Sequence, residues 1–451
     1  MKIIVVGFGK VGYVLADQLN NEGHDLTVID LNENRMQYAI SQLDIQAITG
    51  NGTSYRTQME AGIQDSDLLI AVTDHDEINL LSCLIAKKAG NCHTIARVRN
   101  PEYSKEINFI KEELGLSMSI NPERAAAMEI VHLIQIPSAM EIDTFARGRV
   151  NLIKFRVPNG SPILNIKVSD NALLKDCLLC VVQRYDKSII IPDGNTVLRE
   201  GDIVSVIVPL NKIFKFFSSI GIKTRPIKDV LIVGGSTIAY YLAETLIKSR
   251  INVKIIEQKQ SRCEELSALL PEAMIICGDA SNRGVLDEEG IKNTDAFVSL
   301  TNLDEENIML SLYANKISSA KIITKINKID FEEVISDMPI GSIICPKNIT
   351  AEGIIRYVRS MQNSSEGNME TLYRMMDNRV EALEFIVREN SAVTNTPLMN
   401  LNLKENLLIC CINRNGRIIT PSGKDVILKG DSVVIVTTKL GLNNIRDIIK
   451  D

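Results

Sequence analysis

The 451-residue sequence has no apolar run long enough to cross a membrane, no arginine- or lysine-rich tract, and only four histidines. A spanning helix needs about 20 consecutive apolar residues, so no membrane segment is expected, and the opening MKIIVVGFG reads as a strand rather than a signal peptide. A formal net charge of −6 supplies no long-range positive field for a polyanion, so nucleic acid is not an expected partner. Nine cysteines, an odd number scattered through apolar segments, fit reduced thiols in a cytosolic protein rather than a secreted disulfide framework. Cys177 and Cys180 form a lone C-x-x-C with no second pair at zinc-finger spacing, and read as strand cysteines, with a metal or redox role as the alternative. No G-x-S-x-G, Walker A, H-E-x-x-H or kinase signature occurs. A dehydrogenase would need a positioned acid or base, yet His24, His75, His93 and His132 form no recognisable dyad, and His132 lies in an amphipathic helix where a structural role is expected. The chain is expected not to be an enzyme.

What is present is duplicated. At roughly 150 residues per domain the chain has room for about three cores. Its first part alternates short Val/Ile runs (Ile3–Val6, Leu26–Asp30, Ile45–Thr49, Leu68–Thr73, Thr94–Val98) with helical patterns, as buried parallel strands and their crossover helices do. The expected fold class is α/β, with tandem Rossmann-like, doubly wound parallel sheets each followed by a small α+β module. From about Gly148 the runs become short and β-rich, broken by the turn signals PNG, PDG and EGD. After a basic connector at 222–228 the landmarks recur: Gly7 and Gly234, Asp30 and Glu257, Thr73 and Thr301, Gly201-Asp202 and Gly430-Asp431, at offsets of 227, 227, 228 and 229. The expected boundaries are 1–121 and 226–345 for the Rossmann copies, 122–147 for a helix, 346–375 for a helix and linker, and 148–221 and 376–451 for the small modules. Both helices start with proline, Pro122 and Pro346, and either pack on their own domain or cross to a neighbour. The run QNSSEGNMET reads as a flexible linker.

Gly7-Phe8-Gly9-Lys10-Val11-Gly12 opens a helix directly after a strand, the context in which G-x-G-x-x-G binds a dinucleotide. Gly7 permits the turn, Gly9 admits the pyrophosphate to the backbone, Gly12 lets helix and strand pack closely, and the helix N-terminus offers free N–H groups and partial positive charge. Asp30, 18 residues beyond Gly12, is placed to accept from ribose hydroxyls and to repel a 2′-phosphate, or else caps the next helix. Thr73 and Asp74 follow the fourth strand and are candidate second contacts; Arg97 and Arg99 reach either a phosphate or a surface partner, and Lys10 faces either phosphate or solvent. Asp74-His75-Asp76-Glu77 reads as acidic residues at a helix start, with a metal site as the alternative; Asp304-Glu305-Glu306 stands at the same place in the second copy without a histidine. The second turn, Gly234-Gly235-Ser236-Thr237-Ile238-Ala239, has Cβ atoms where the first has none, while Glu257 keeps the carboxylate and Asp279 stands where the first copy has Asn51. It is either structural or holds a different adenine nucleotide.

The motifs MKIIVVGFGKVG, LTVID, LLIAVTDHDEIN, IARVRNPEY, DVLIVGG, CGDASN and SLTNLDEENIM, over nearly the whole chain, resemble the RCK (KTN) regulatory subunits of Trk-type potassium uptake systems. The resemblance implies a ring of such domains, usually a homotetramer, attached beneath a Trk-type membrane potassium pore on the cytoplasmic face of the plasma membrane. It implies NAD(H), with ATP or ADP as further ligands, at Gly7 to Val11, Asp30, Thr73, Asp74 and Arg97, and in the second copy at Gly234 to Ile238, Glu257, Thr301 and Asn302. The sequence departs from that pattern at Asn51, where the usual G-D-A reads Gly50-Asn51-Gly52, and at Ser236 and Ala239.

Overall fold

The computed structural model describes residues 1–145, 149–174, 177–209, 212–222, 225–327, 335, 338–366, 369–376, 379–442 and 444–450. Gly148, two residues of the 222–228 connector, and Gly367 and Asn368 of the expected linker lie outside them. The chain divides into two compact units, residues 1–131 with 228–357 and residues 132–227 with 358–451.

The first Rossmann copy contains β1 (Lys2–Val6), α1 (Lys10–Asn21), β2 (Asp25–Asp30), α2 (Glu33–Gln42), β3 (Gln46–Thr49), α3 (Tyr55–Glu60), β4 (Leu68–Ala71), α4 (Asp76–Ala89), β5 (His93–Arg97), α5 (Pro101–Lys105), α6 (Ile107–Leu114) and β6 (Met118–Ile120). All its strand pairs are parallel, in the order β3-β2-β1-β4-β5-β6. Helices cover both faces of such a sheet, so β1 and β4 are buried along IIVV and LLIA rather than in alternate residues. On α1 the buried residues Val11, Leu15, Ala16 and Leu19 fall on one stripe, the helical period that the sequence shows. Order reverses between β1 and β4, and a doubly wound sheet opens its crevice there. α7 (Pro122–Gln135) follows.

The first small module has β7 (Glu141–Phe145), β8 (Val150–Arg156), β9 (Leu178–Gln183), β10 (Ile189–Ile190), β11 (Ile203–Ile207) and α8 (Ile213–Ser219), in the antiparallel order β10-β9-β11-β8-β7. β7 lies inside the segment expected to be helical: α7 stops at Gln135, two residues before Pro137, and the chain re-enters as an edge strand.

The second Rossmann copy repeats the first: β12 (Asp229–Val233), α9 (Thr237–Lys248), β13 (Asn252–Glu257), α10 (Gln260–Leu269), β14 (Met274–Cys277), α11 (Arg283–Glu288), β15 (Ala296–Ser299), α12 (Asp304–Ile317), β16 (Lys321–Lys325) and β17 (Ser342–Ile344), in the order β14-β13-β12-β15-β16-β17. It packs on the first. Asn121 Nδ2 donates to the Tyr241 hydroxyl at 3.1 Å, and a Cβ at Gly353, in the helix Pro346–Glu366 (α13), would lie 3.1 Å from Ile120 Cδ1. The start of α13 therefore crosses to the other copy rather than serving its own alone. α13 also takes the first half of the expected linker, since helix persists to Glu366 and strand begins at Met369.

The second small module, β18 (Met369–Met375), β19 (Val380–Ile386), β20 (Leu407–Arg414), β21 (Arg417–Ile419) and β22 (Ser432–Thr437), has the equivalent order β18-β19-β22-β20-β21. The two small modules share a core in which Phe145, Val150, Leu152 and Cys180 pack with Val380, Ala382, Cys410 and Val436. Phe145 meets Tyr373 edge-on at 4.8 Å, and the Tyr373 hydroxyl donates to Thr144 O at 2.8 Å. A module of about 70 residues buries a modest fraction of its surface, and pairing covers a further apolar face.

The repeated Gly-Asp landmarks are structural. Asp202 and Asp431 are buried, and each accepts a backbone N–H three residues upstream, Arg199 at 2.7 Å and Leu428 at 2.8 Å. Arg184 and Arg414 pair with them and also donate to Val197 O and Val426 O. Asp431→Ala is expected to cost about 2–3 kcal/mol in chemical unfolding, because it strands the Leu428 N–H and the Arg414 guanidinium. Lys450→Ala, which breaks the exposed pair with Glu405, should cost no more than about 0.5 kcal/mol. Equal losses would contradict this account.

Candidate functional site

The first glycine turn opens a cavity of about 920 Å³ at the β1/β4 switch point. Gly7 adopts φ +97°, and a Cβ there would stand 2.9 Å from Thr73 N, so only glycine brings the turn this close to the β4–α4 loop. A Cβ on Gly12 would fall 1.9 Å from Gly7 O; Gly12 serves helix–turn packing and does not line the cavity. Gly9 differs from both. Its backbone is extended (φ −79°, ψ −162°), and a Cβ would meet nothing within 4 Å, so the protein itself does not require glycine here. It is also the N-cap of α1 and provides no side-chain cap, which leaves N–H groups of the first helical turn open at the cavity.

The carboxylate at the end of β2 fixes this turn. Asp30 Oδ2 accepts from Phe8 N at 2.7 Å and Oδ1 from Asn32 N at 2.9 Å. Asn32, not Asp30, caps α2, by accepting from Arg35 N, which removes the helix-cap alternative. Phe8 is buried, with its ring edge-on to Tyr13 at 5.8 Å, and like Gly12 is not on the cavity wall. Gly7, Gly9, Lys10, Val11, Asp30, Asn51, Thr73, Asp74 and Arg97 all are. The Asn51 side chain is engaged in its own loop, its Oδ1 accepting from Thr53 N (3.0 Å) and Thr53 Oγ1 (2.9 Å).

Arg97 is buried; Nη1 lies 3.3 Å from Thr73 O and from Asp74 Oδ1, while Nε is buried without a hydrogen-bond partner. Burial and the neighbouring Arg99 hold the guanidinium below its ordinary value, so an anion in the cavity would relieve it. Arg99 instead pairs with Glu123 at 2.6 Å. Asp76 accepts from Arg99 N and Asn100 N, Glu77 accepts from the Tyr103 hydroxyl, and among the described residues no group of His, Cys, Asp or Glu could hold a metal ion. Asp76 thus ties the start of α4 to the loop after β5, and Asp304 repeats the role by accepting from Asn327 N at 2.9 Å.

Sequence reasoning missed two things. The first is Asn79, fully buried, whose Oδ1 accepts from Thr73 N (2.8 Å) and Oγ1 (2.7 Å) and whose Nδ2 donates to Thr73 O (3.1 Å) and Arg97 O (2.9 Å). Asn307 makes the same four bonds to Thr301 and Lys325. The common offset of 228, shared with Thr73 and Thr301, was the available signal. The second is that the cavity is completed by the other copy, through Ile238, Asn302, Lys325, Asn327, Pro346 and Lys347. Six cationic side chains line it against three carboxylates, an anion-favouring balance inside an acidic chain. Burial, aided by Lys10, lowers Lys325 from its ordinary value.

The second turn is built differently. Glu257 Oε2 accepts from Gly235 N at 2.6 Å, as Asp30 does in the first copy. Ser236, however, caps its own helix by accepting from Ala239 N at 3.4 Å, and Arg262 Nε donates to Gly235 O at 2.6 Å. A Cβ on Gly235 would meet Leu266 and Glu257 within 3 Å, and Gly234 keeps φ +95°. Gly234, Gly235, Ser236, Thr237, Glu257, Asp279 and Thr301 do not reach the cavity of the first copy; of the expected second-copy residues only Ile238 and Asn302 do. Asp279 is exposed and bonded to Ser281, which holds its carboxyl below the usual range.

The TrkA-N domain model matches residues 3–122 and 230–346, and the TrkA-C domain model matches 152–221 and 382–450. The chain belongs to the TrkA family. It is 32% identical over its whole length, and the whole of the relative, to the Trk system potassium uptake protein TrkA homolog of Archaeoglobus fulgidus. It is 30% identical to the Trk system potassium uptake protein TrkA of Haemophilus influenzae, covering 96% of this chain and 95% of that one. Its TrkA-family fold is also that of the GsuK channel bound to NAD, with a TM-score of 0.62 at 15% identity over 97% of this chain and 77% of that one, and of the GsuK RCK domain, at 0.62 and 16% over 97% and 92%. The names of the TrkA relatives are those of potassium uptake proteins, not of enzymes.

Asn79→Ala is expected to destabilise the protein by about 2–3 kcal/mol, since it leaves buried backbone groups of Thr73 and Arg97 unpaired. Denaturant unfolding with loss below about 0.5 kcal/mol would show that the loop is held by something else.

Proposed function

We propose that the chain is a nucleotide-sensing regulatory subunit of a Trk-type potassium uptake system. In this reading NAD(H), or an adenine nucleotide such as ATP or ADP, occupies the first-copy cavity and biases an attached membrane potassium pore. The observation that carries it is Gly9: an extended glycine with no steric need to be one, at an uncapped helix N-terminus, beside an arginine with an unpaired buried Nε. A diphosphate explains all three. Gly9 and the first turn of α1 would hold it, with Lys10 and Arg97 supplying countercharge. The free lone pairs of Asp30 would take ribose hydroxyls, and Leu31, 71% exposed on the cavity wall, gives a base an apolar surface. The volume lies within the roughly 300–1,000 Å³ common for small-ligand sites. Relatives named as Trk potassium uptake proteins, and a structural neighbour described as bound to NAD, support the reading.

Because Lys325 and Lys347 come from the other copy, an anion in this cavity touches both copies at once. A ligand shifts a conformational equilibrium only by its differential affinity, typically about 1–3 kcal/mol per site. A cavity that straddles two rigid domains supplies that difference whenever the domains change separation. Multiple copies in a ring, here taken as four chains on the cytoplasmic face of the membrane, add their contributions. Among the described residues no helix is long and apolar enough to cross a membrane, so in this reading the pore is a separate chain.

Gly9→Asp is expected to weaken NADH, ADP and ATP binding by at least about 100-fold in calorimetric titration, by setting a carboxylate against the phosphates. Its unfolding free energy should stay within about 0.5 kcal/mol, because the Cβ meets open space. Unchanged affinity in the folded variant would defeat the assignment. So would a wild-type protein that binds nucleotides without changing potassium flux through its co-purified pore.

A further inference from the structure

The second copy carries a thiol pair that has no counterpart in the first. Cys263 stands on α10 and Cys277 ends β14, where the first copy has Met36 and Thr49. β14 pairs with β13 so that Cys277 lies opposite Glu257. Cys263 Sγ is 3.3 Å from Glu257 O and Cys277 Sγ 4.0 Å from Gln258 O, which puts both sulfurs on consecutive carbonyls and makes the two thiols neighbours. Cys277 is exposed and Cys263 is buried. Another pair in contact, Cys180 and Cys410, is fully buried on both sides, where no oxidant reaches it.

We propose that Cys263 and Cys277 form an oxidisable dithiol, a modification site for peroxides beside the second glycine turn. The exposed Cys277 reacts first, as thiolate: its sulfur attacks one peroxide oxygen, the O–O bond breaks, and the departing hydroxide takes a proton to become water. Cys277 is then a sulfenic acid. The Cys263 sulfur, losing its proton, attacks the Cys277 sulfur; the S–O bond breaks and a second water leaves. Two thiols are oxidised to one disulfide and one peroxide is reduced to two waters. Burial and the adjoining Cys277 thiol push Cys263 up to about 11, which suits the resolving role rather than the first attack. The link would tie α10 to β14 next to Glu257 and Arg262, the two side chains that hold Gly235.

The test uses the full-length reduced chain exposed to hydrogen peroxide, followed by thiol alkylation under denaturing conditions, digestion and mass spectrometry. A peptide joining Cys263 to Cys277 is expected, with loss of both free thiols, reversal by dithiothreitol, and Cys180 and Cys410 still alkylated. In Cys263→Ser the reaction should stop at a sulfenic acid on Cys277 that dimedone traps; in Cys277→Ser, Cys263 should remain a free thiol. The proposal fails if wild-type protein keeps both thiols alkylatable, if Cys277 is recovered joined to a different cysteine, or if peroxide carries Cys277 to sulfinic acid with Cys263 untouched.

Discussion

The hydrogen bond from a glycine-turn N–H to the carboxylate at the end of the neighbouring strand is the constraint on which both Rossmann copies rest. Asp30 takes it from Phe8 and Glu257 from Gly235, at 2.7 and 2.6 Å. The bond fixes where the turn lies relative to the second strand, and with it the direction in which the following helix presents its N-terminus. Asn79 and Asn307 anchor the opposite wall in the same way, by four bonds each to the loop after the fourth strand. The crevice is thus held from two sides, by half-buried carboxylates and by buried asparagines, all with hydrogen-bond partners, and their geometry is costly to change.

Within that shared frame the two copies diverge at one atom type. Gly9 leaves its helix uncapped; Ser236 satisfies the corresponding helix from within. A self-capped helix has less to offer an anion, and Arg262 laid on the Gly235 carbonyl occupies the same neighbourhood. The second copy contributes to the first site instead, through Lys325 and Lys347. The first copy opens a crevice, and the second copy supplies part of its wall.

Much of this was legible in the sequence. Short buried strands, crossover helices, the glycine turn, the repeat offsets and the paired carboxylates are all local patterns with fixed spacing, and nine of the eleven first-copy positions expected at the nucleotide site, all but Phe8 and Gly12, stand on the wall of the crevice. Asn79 escaped because asparagine near a helix start reads as solvent-facing, and only its burial shows otherwise. The expected linker at 362–371 is helical as far as Glu366 and strand from Met369, because polar composition does not fix conformation. The alternatives left open for Arg97 and Arg99 separated only when Glu123, at the start of α7, was found to take Arg99 and leave Arg97 facing the crevice.

The sequence by itself determined the duplicated element order, the position of the glycine turns and the acidic residue that steadies each, because these depend on hydrogen-bonding patterns and periodicities within a few tens of residues. Tertiary structure alone decided that Rossmann copy pairs with Rossmann copy and small module with small module, and that Lys325 faces a turn more than 300 residues earlier. Such pairings follow from the complementarity of whole faces, which no local spacing encodes.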